Sequence, residues 1–160
     1  MGKNKEKRVG FGYDVHKIVR GKGIVLGGVT IPCNKKFKGH SDADILLHSL
    51  CDALLGAANL RDIGYYFPNT NSKYKNISSS VLLKEVYKLL RKNEWRIVNA
   101  DCMIILEEPK IEQYIEEMKK NITQIIKTPF VSIKATTSER LGFVGQKRGA
   151  QCFSVVLIEK

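Results

Sequence analysis

The segment Arg8-Val9-Gly10-Phe11-Gly12-Tyr13-Asp14-Val15 reads as a β-strand with glycine at two alternate positions. Glycine inside a strand marks either a bend or a place where another backbone comes close. Strand side chains alternate between faces, so Asp14 and His16 point to the same side. A carboxylate oxygen and an imidazole nitrogen placed that way can grip one divalent ion. The pair also fits a surface aspartate beside a hydrogen-bonded histidine.

The remaining elements follow from periodicity and punctuation. Ile24-Val25-Leu26 and Val29-Thr30-Ile31 flank Gly27-Gly28, a hairpin signal. Pro32 to Lys38 reads as a loop. Ser41 has the chemistry of a helix N-cap, with Asp44 at the capping-box position, and a helix is expected over Ile45–Asn59. Its stripe is Leu47, Leu50, Cys51, Leu54, Leu55 and Ala58. Residues 60–77 read as a long irregular connection of the kind that forms a lid or binding loop. A second helix is expected at 78–92, a strand at 96–106, and a helix at 109–126 with Pro109 in its first turn. Strands at 131–135 and 150–158 complete the chain. The order β, hairpin, α, α, β, α, β, β predicts an α+β fold, a mixed or antiparallel sheet with helices on one face. No helix remains to cover the other face, which points to oligomerisation.

The chain has 160 residues, 43% hydrophobic and 27% charged, which suits one compact domain. Cys33, Cys51, Cys102 and Cys152 form no C-x-x-C pair and read as core thiols of a reducing compartment. No apolar run approaches the roughly 20 residues that cross a bilayer, and no apolar secretory segment follows the basic N-terminus. Met1-Gly2 is not a myristoylation signal, because Glu6 stands where a hydroxyl is usual. A formal net charge of +11 raises nucleic acid as a partner. The basic residues are scattered, however, and do not alternate with aromatics. A surface suited to a phosphate-rich small substrate is enough, with no nucleic acid and no membrane.

All three histidines lie in two clusters, Asp14-Val15-His16 and His40-Ser41-Asp42-Ala43-Asp44-Ile45-Leu46-Leu47-His48. Asp44, His48 and Asp52 are four apart and share a helix face. Asp44 and Asp52 are candidates to hold the free ring nitrogen of a ligand histidine, and Asp44 fits a capping role equally. One aspartate and two histidines, Asp14, His16 and His48, would leave a fourth tetrahedral position open, as in catalytic zinc sites. His48 fits a partly buried core histidine as well. In Lys134-Ala135-Thr136-Thr137-Ser138-Glu139, three hydroxyls follow a strand end, a turn that suits phosphate oxygens or caps a short helix. Glu139 could hold a hard cation there. In the long loop, Asp62 could bind substrate hydroxyls and Phe67-Pro68 could fix the loop shape, and the segment fits a plain turn with a hydrophobic anchor equally. No Walker A, G-x-G-x-x-G or G-x-S-x-G pattern is present.

Taken in order, these stretches resemble the 2-C-methyl-D-erythritol 2,4-cyclodiphosphate synthase family. They are Gly10-Phe11-Gly12-Tyr13-Asp14-Val15-His16, His40-Ser41-Asp42-Ala43-Asp44, Asp52-Ala53-Leu54-Leu55-Gly56-Ala57, Asp62-Ile63-Gly64, Phe67-Pro68, Pro109-Lys110, and Lys134-Ala135-Thr136-Thr137 with Glu139 and Leu141-Gly142-Phe143. The resemblance runs from about residue 8 to the C-terminus, so residues 1–7 are expected to be a basic extension and 8–160 a single domain. It implies a homotrimer, with sheets facing the three-fold axis and active sites between neighbours. It implies Zn²⁺ on Asp14, His16 and His48, and Mg²⁺ or Mn²⁺ held by Glu139 and substrate phosphates. His40 and Thr137 are expected to act at the reacting phosphates, and Ser41 to meet them. Asp62 would bind the methylerythritol hydroxyls, and Ile63, Gly64, Phe67, Pro68, Asn69, Thr70 and Asn71 would contact the substrate. Residues 106–111, among them Leu106, Pro109, Lys110 and Ile111, with Thr136, would form the cytidine and diphosphate pocket contributed across the interface, and Phe143 would contact the substrate. The compartment implied is a bacterial cytosol or a plastid-type organelle.

Two departures from the family pattern stand out. Asn69 and Asn71 occupy positions where the family often has aspartates. Gly145-Gln146-Lys147-Arg148-Gly149 replaces a Gly-Arg-x-Glu-Gly type turn, so the Arg/Glu pair tied to a lipid-like ligand on the trimer axis is absent.

Overall fold

The computed structural model describes residues 5–39, 41–68, 70–71, 74 and 76–160. Strand β1 (Lys7–Arg20) is its spine. It pairs antiparallel with β7 (Gly149–Glu159) and, near its end, with β4 (Lys35–Phe37). β7 pairs antiparallel with β5 (Arg96–Ile105), and β5 parallel with β6 (Val131–Thr136). The order across the sheet is β4-β1-β7-β5-β6. β2 (Ile24–Leu26) and β3 (Val29–Ile31) form the expected separate hairpin. The helices are α1 (Ile45–Ala57), α2 (Ile63–Tyr66), α3 (Ser79–Lys92), α4 (Ile115–Ile126) and the short α5 (Gly142–Gly145). The architecture is α+β, a mixed and mostly antiparallel sheet with helices packed against it. Among the described residues, no helix is long and apolar enough to cross a membrane.

The two strand glycines mark close approach. A Cβ added at Gly10 would lie 1.9 Å from the Ala53 carbonyl oxygen, and one at Gly12 would lie 1.8 Å from that of Ser49. Both atoms belong to the α1 backbone. Helix α1 therefore sits directly on β1, and the same strand face carries Asp14 and His16 toward the start of that helix. α1 is buried nearly all round, wider than the stripe read from its sequence, because α3 covers the side away from the sheet.

Helix α1 also begins differently from expectation. Asp44, not Ser41, is its N-cap and accepts the Leu47 N–H at 3.0 Å. Ala43 is in the left-handed region (φ 56°), so residues 41–43 cannot belong to the helix. The helix at 109–126 is likewise shorter. Pro109 follows a cis peptide bond outside it, and a 3₁₀ turn (Glu112–Tyr114) leads into α4. The supposed loops 32–38 and 60–77 contain β4 and α2. In β5 a bulge between Ile97 and Asn99 breaks strict alternation, so Ile97 is buried while Asn99, of the same parity, is not.

The sheet face away from α1 is apolar and open. Val9, Phe11, Tyr13 and Val15 of β1 and Val155 of β7 are exposed there. Phe153 lies among them, its ring 6.1 Å from that of Phe11 and 5.0 Å from that of Tyr13. A contiguous apolar patch of this kind is unusual on a protein that works alone.

Candidate metal centre

Asp14 and His16 on β1 meet His48 from the first turns of α1. One ligand atom from each lies within 4.8 Å of the others. The Asp14 carboxylate is the hub, its Oδ2 3.0 Å from His16 Nδ1 and 3.1 Å from His48 Nδ1. His16 Nδ1 is buried and close to that oxygen, yet not aligned to hydrogen-bond with it. A buried ring nitrogen without a hydrogen-bond partner, facing a carboxylate and a second imidazole, is the geometry of a ligand whose ion would take the remaining direction. The donor set of two imidazoles and one carboxylate suits Zn²⁺ and leaves a coordination position open. Burial pushes the Asp14 carboxyl up, but the imidazoles of His16 and His48 outweigh it and hold its pKa below the ordinary value. Burial pulls the His48 pKa down, and Asp14, with Asp44 and Asp42, more than offsets this, so it rises.

The other nitrogen of His48 has its own partners. Nε2 lies 2.9 Å from Ser79 Oγ and 3.3 Å from Ser41 Oγ. Ser79, at the first turn of α3, hydrogen-bonds Asp42 through its hydroxyl and through its backbone N–H at 2.9 Å. Asp44 and Asp52 act elsewhere. Asp44 accepts the N–H groups of Gly28 (2.8 Å) and Leu47, and reaches the His48 ring only through its charge. Burial, with Asp42 nearby, pushes its pKa up to about 6 against those N–H bonds. Asp52 accepts the Ile63 N–H at 2.8 Å and so fixes where α2 starts. Burial raises its pKa as well.

Asp14, His16 and His48 line a cleft of about 530 Å³. Its walls include Ser41, Ile63, Gly64, Phe67 and Tyr74 beside the ligand cluster. Asp62 caps α2 by accepting the Tyr65 N–H at 3.0 Å, and Pro68, Thr70 and Asn71 continue from it. His40 and Asn69 lie outside the described residues.

A second group sits elsewhere. Val15, Gln151, Ile105 and Thr136 are paired in one row across β1, β7, β5 and β6. Thr136, Thr137 and Glu139 are therefore at the same end of the sheet as the ligand cluster, but about 14 Å to the side, three strand spacings away. Thr137 Oγ1 donates to Glu139 Oε1 at 3.0 Å, and both side chains are exposed. Glu139 and Arg140 are in the left-handed region (φ 52° and 64°), and the turn is pinned by Glu107, whose anchoring role the sequence does not announce although it lies in the 106–111 segment. Glu107 Oε1 accepts from Ser138 N (2.8 Å), Ser138 Oγ (3.1 Å) and Arg140 N (3.4 Å). These bonds, the Ser138 N–H first, hold its pKa low. They tie the turn to the segment with Leu106, Pro109, Lys110 and Ile111. Phe143 instead packs toward Gly149, beside the His16 carbonyl. The 145–149 turn is bridged to β4 by Glu108, which pairs with Lys147 (2.5 Å) and Lys35 (3.0 Å).

The model of the YgbB family matches residues 7–159. A 2-C-methyl-D-erythritol 2,4-cyclodiphosphate synthase of Chlorobium phaeovibrioides is 52% identical over 155 residues, which cover 96% of this chain and 99% of that protein. The chain superposes on the bifunctional IspDF of Campylobacter jejuni with a TM-score of 0.93 at 38% identity, covering 98% of this chain and 43% of that longer one. It superposes on a CDP complex of IspF from Plasmodium falciparum with a TM-score of 0.82 at 36% identity, covering 95% of each.

Proposed function

Because the chain belongs to the YgbB family, we propose that it converts 4-diphosphocytidyl-2-C-methyl-D-erythritol 2-phosphate to 2-C-methyl-D-erythritol 2,4-cyclodiphosphate and CMP. It is a phosphorus–oxygen lyase of the non-mevalonate route to isoprenoid precursors. The observation that carries the reading at the site is the convergence of Asp14, His16 and His48 in the wall of one cleft.

An oxygen of the 2-phosphate attacks the β-phosphorus of the diphosphate, the bond to the CMP oxygen breaks, and the ring closes. A phosphate oxyanion is already a nucleophile, so no serine, cysteine or strong base is needed. The demand is for alignment and charge neutralisation between two anionic groups. In this reading Asp14, His16 and His48 hold Zn²⁺, and Glu139 with substrate phosphates holds Mg²⁺ or Mn²⁺. When bound, such ions polarise the attacked phosphoryl group and screen the leaving one. His40, Ser41 and Thr137 contact the reacting phosphates. Asp62 takes the methylerythritol hydroxyls, and Ile63, Gly64, Phe67, Pro68, Asn69, Thr70 and Asn71 contact the substrate. Leu106, Pro109, Lys110, Ile111 and Thr136 receive the cytidine diphosphate, and Phe143 contacts the substrate.

The separation between Glu139 and the ligand cluster supports an active site shared between chains. A homotrimer with the sheets facing its axis would bury Phe11, Val9 and their neighbours. It would also bring the Thr136–Glu139 turn of one subunit to the cleft of the next. Residues 8–160 then act as one domain, with residues 1–7 a basic extension. Incubation with the substrate, followed by phosphorus NMR, should show a cyclic diphosphate and CMP. Linear phosphate products would instead indicate hydrolysis by an activated water.

A further inference from the structure

Metal-ligating histidines are usually steered by whatever holds their second nitrogen. Here that partner comes from a different helix, and the direction of each proton can be worked out. Both oxygens of Asp42 accept N–H groups, Oδ2 from Ser79 at 2.9 Å and Oδ1 from Asp44 at 3.3 Å. Ser79 Oγ also contacts Oδ1, so its single proton is given to this carboxylate. The lone pairs of Oγ are left to face His48 Nε2 at 2.9 Å. That contact is a hydrogen bond only if Nε2 carries the proton. Ser41 Oγ, which accepts the Ala43 N–H at 3.1 Å, flanks the same nitrogen at 3.3 Å. Nδ1 is then free to present its lone pair to the space shared with Asp14 and His16.

We infer that Ser79, oriented by Asp42, is a positioning residue that fixes His48 as its Nε2-protonated tautomer, with Nδ1 as the metal-binding atom. The inference rests on the reading of Asp14, His16 and His48 as zinc ligands. A capping role alone does not account for the Ser79 hydroxyl. Ser78 is the N-cap of α3, its side chain accepting the Ser80 N–H, and Asp42 takes the Ser79 backbone N–H. The hydroxyl is fully buried and aimed at the imidazole. Asp42 thereby acts on the ligand cluster through α3, joining the loop before α1, α3 and β1 into one device.

Zinc affinity, measured by competition with a chromophoric chelator, tests this. Ser79→Ala should weaken zinc binding about 10- to 100-fold, the usual effect of removing such a partner. Ser78→Ala, one residue away on the same helix turn, should change it by less than about twofold, as it touches only the cap. Nitrogen NMR of the zinc-loaded, unsubstituted protein labelled at histidine gives a second readout that needs no variant. It should show His48 metal-bound at Nδ1 and protonated at Nε2. Zinc bound through Nε2 overturns the inference, as does parental affinity in Ser79→Ala or an equal loss in Ser78→Ala. If the unsubstituted protein binds no zinc at all, the ligand assignment itself fails, and the inference with it.

Discussion

The two halves of the candidate site are built in opposite ways. The ligand cluster stands on the core. Asp14 and His16 extend from the longest strand, His48 sits on the most buried helix, and Ser79 with Asp42 braces it from behind. The Thr136–Glu139 turn stands on an edge strand, is exposed, and is held by one carboxylate, Glu107. A metal grip must keep its geometry before the ion arrives, so it belongs where packing is dense. If, as proposed, the turn meets substrate in a neighbouring subunit, it gains its packing only on assembly and can be left thinly supported in one chain.

The sharpest way to break this contrast is to inactivate each half in a separate chain. Asp14→Ala should lower turnover about 10³-fold or more and lose zinc, since several kcal/mol of charge stabilisation go with the ion. Glu139→Gln should keep its zinc but lose activation by magnesium. If the halves meet between subunits, refolding the two variants together should restore activity. Roughly one site in four would then join an intact cluster to an intact turn. No recovery in mixed, zinc-loaded oligomers would place both halves in one chain.

Next in size is the apolar sheet face. Phe11→Glu puts a charge into the patch that assembly would bury. Sedimentation velocity should show monomers, and activity should fall by about two orders of magnitude or more as shared sites are lost. A trimer of unchanged mass would mean that another surface assembles the protein.

A smaller effect is expected at the brace of the thin half. Glu107→Ala releases the Ser138 and Arg140 N–H groups. It should raise KM by less than about tenfold, with zinc content unchanged, because the turn keeps its fold but loses its anchor. An altered zinc content would show that the two halves are coupled within a chain.

The last concerns stability and not turnover, and lies in the pH dependence of the dense half. The Asp44 pKa is raised from 3.8 to about 6, so the folded state binds the proton more tightly than the unfolded one. This favours the folded state below about pH 4 and is lost as pH rises through about 6, a change of about 3 kcal/mol for two units. Asp44→Asn should flatten that part of the stability profile in denaturant titrations at pH 4 and pH 7. An unchanged slope would assign it to another group.

How much of this could be read from the chain depended on whether a contact runs along one element or across several. Asp14 and His16 share a face because of strand parity, and His48 sits one helix turn beyond the Asp44 cap. The pairing of glycines with α1 was half legible, since close approach and bending leave the same mark in a sequence. Lys35-Lys36-Phe37 is too short and too charged to announce an edge strand, and the four-residue α2 has no periodicity. The bulge at Ile97/Asn99 hides in a run that alternates plausibly in either register. Ser78-Ser79-Ser80 offers three identical hydroxyls. Only the trajectory of α3 decides which of them faces a histidine 31 residues away. Helical spacing places Asp44 and Asp52 on the His48 face, but backbone N–H groups of the β2–β3 turn, α1 and α2 occupy their carboxylates.

The missing side chains at Gly10 and Gly12 act as the closed setting of a calliper. One jaw is the strand with residues 14 and 16, the other is the helix with residue 48, and the gap is as narrow as backbone atoms permit. Even a methyl group at position 12 would prise the jaws apart a short lever arm from the ligands. The bore that this cluster could offer an ion is thus gauged by two residues outside it.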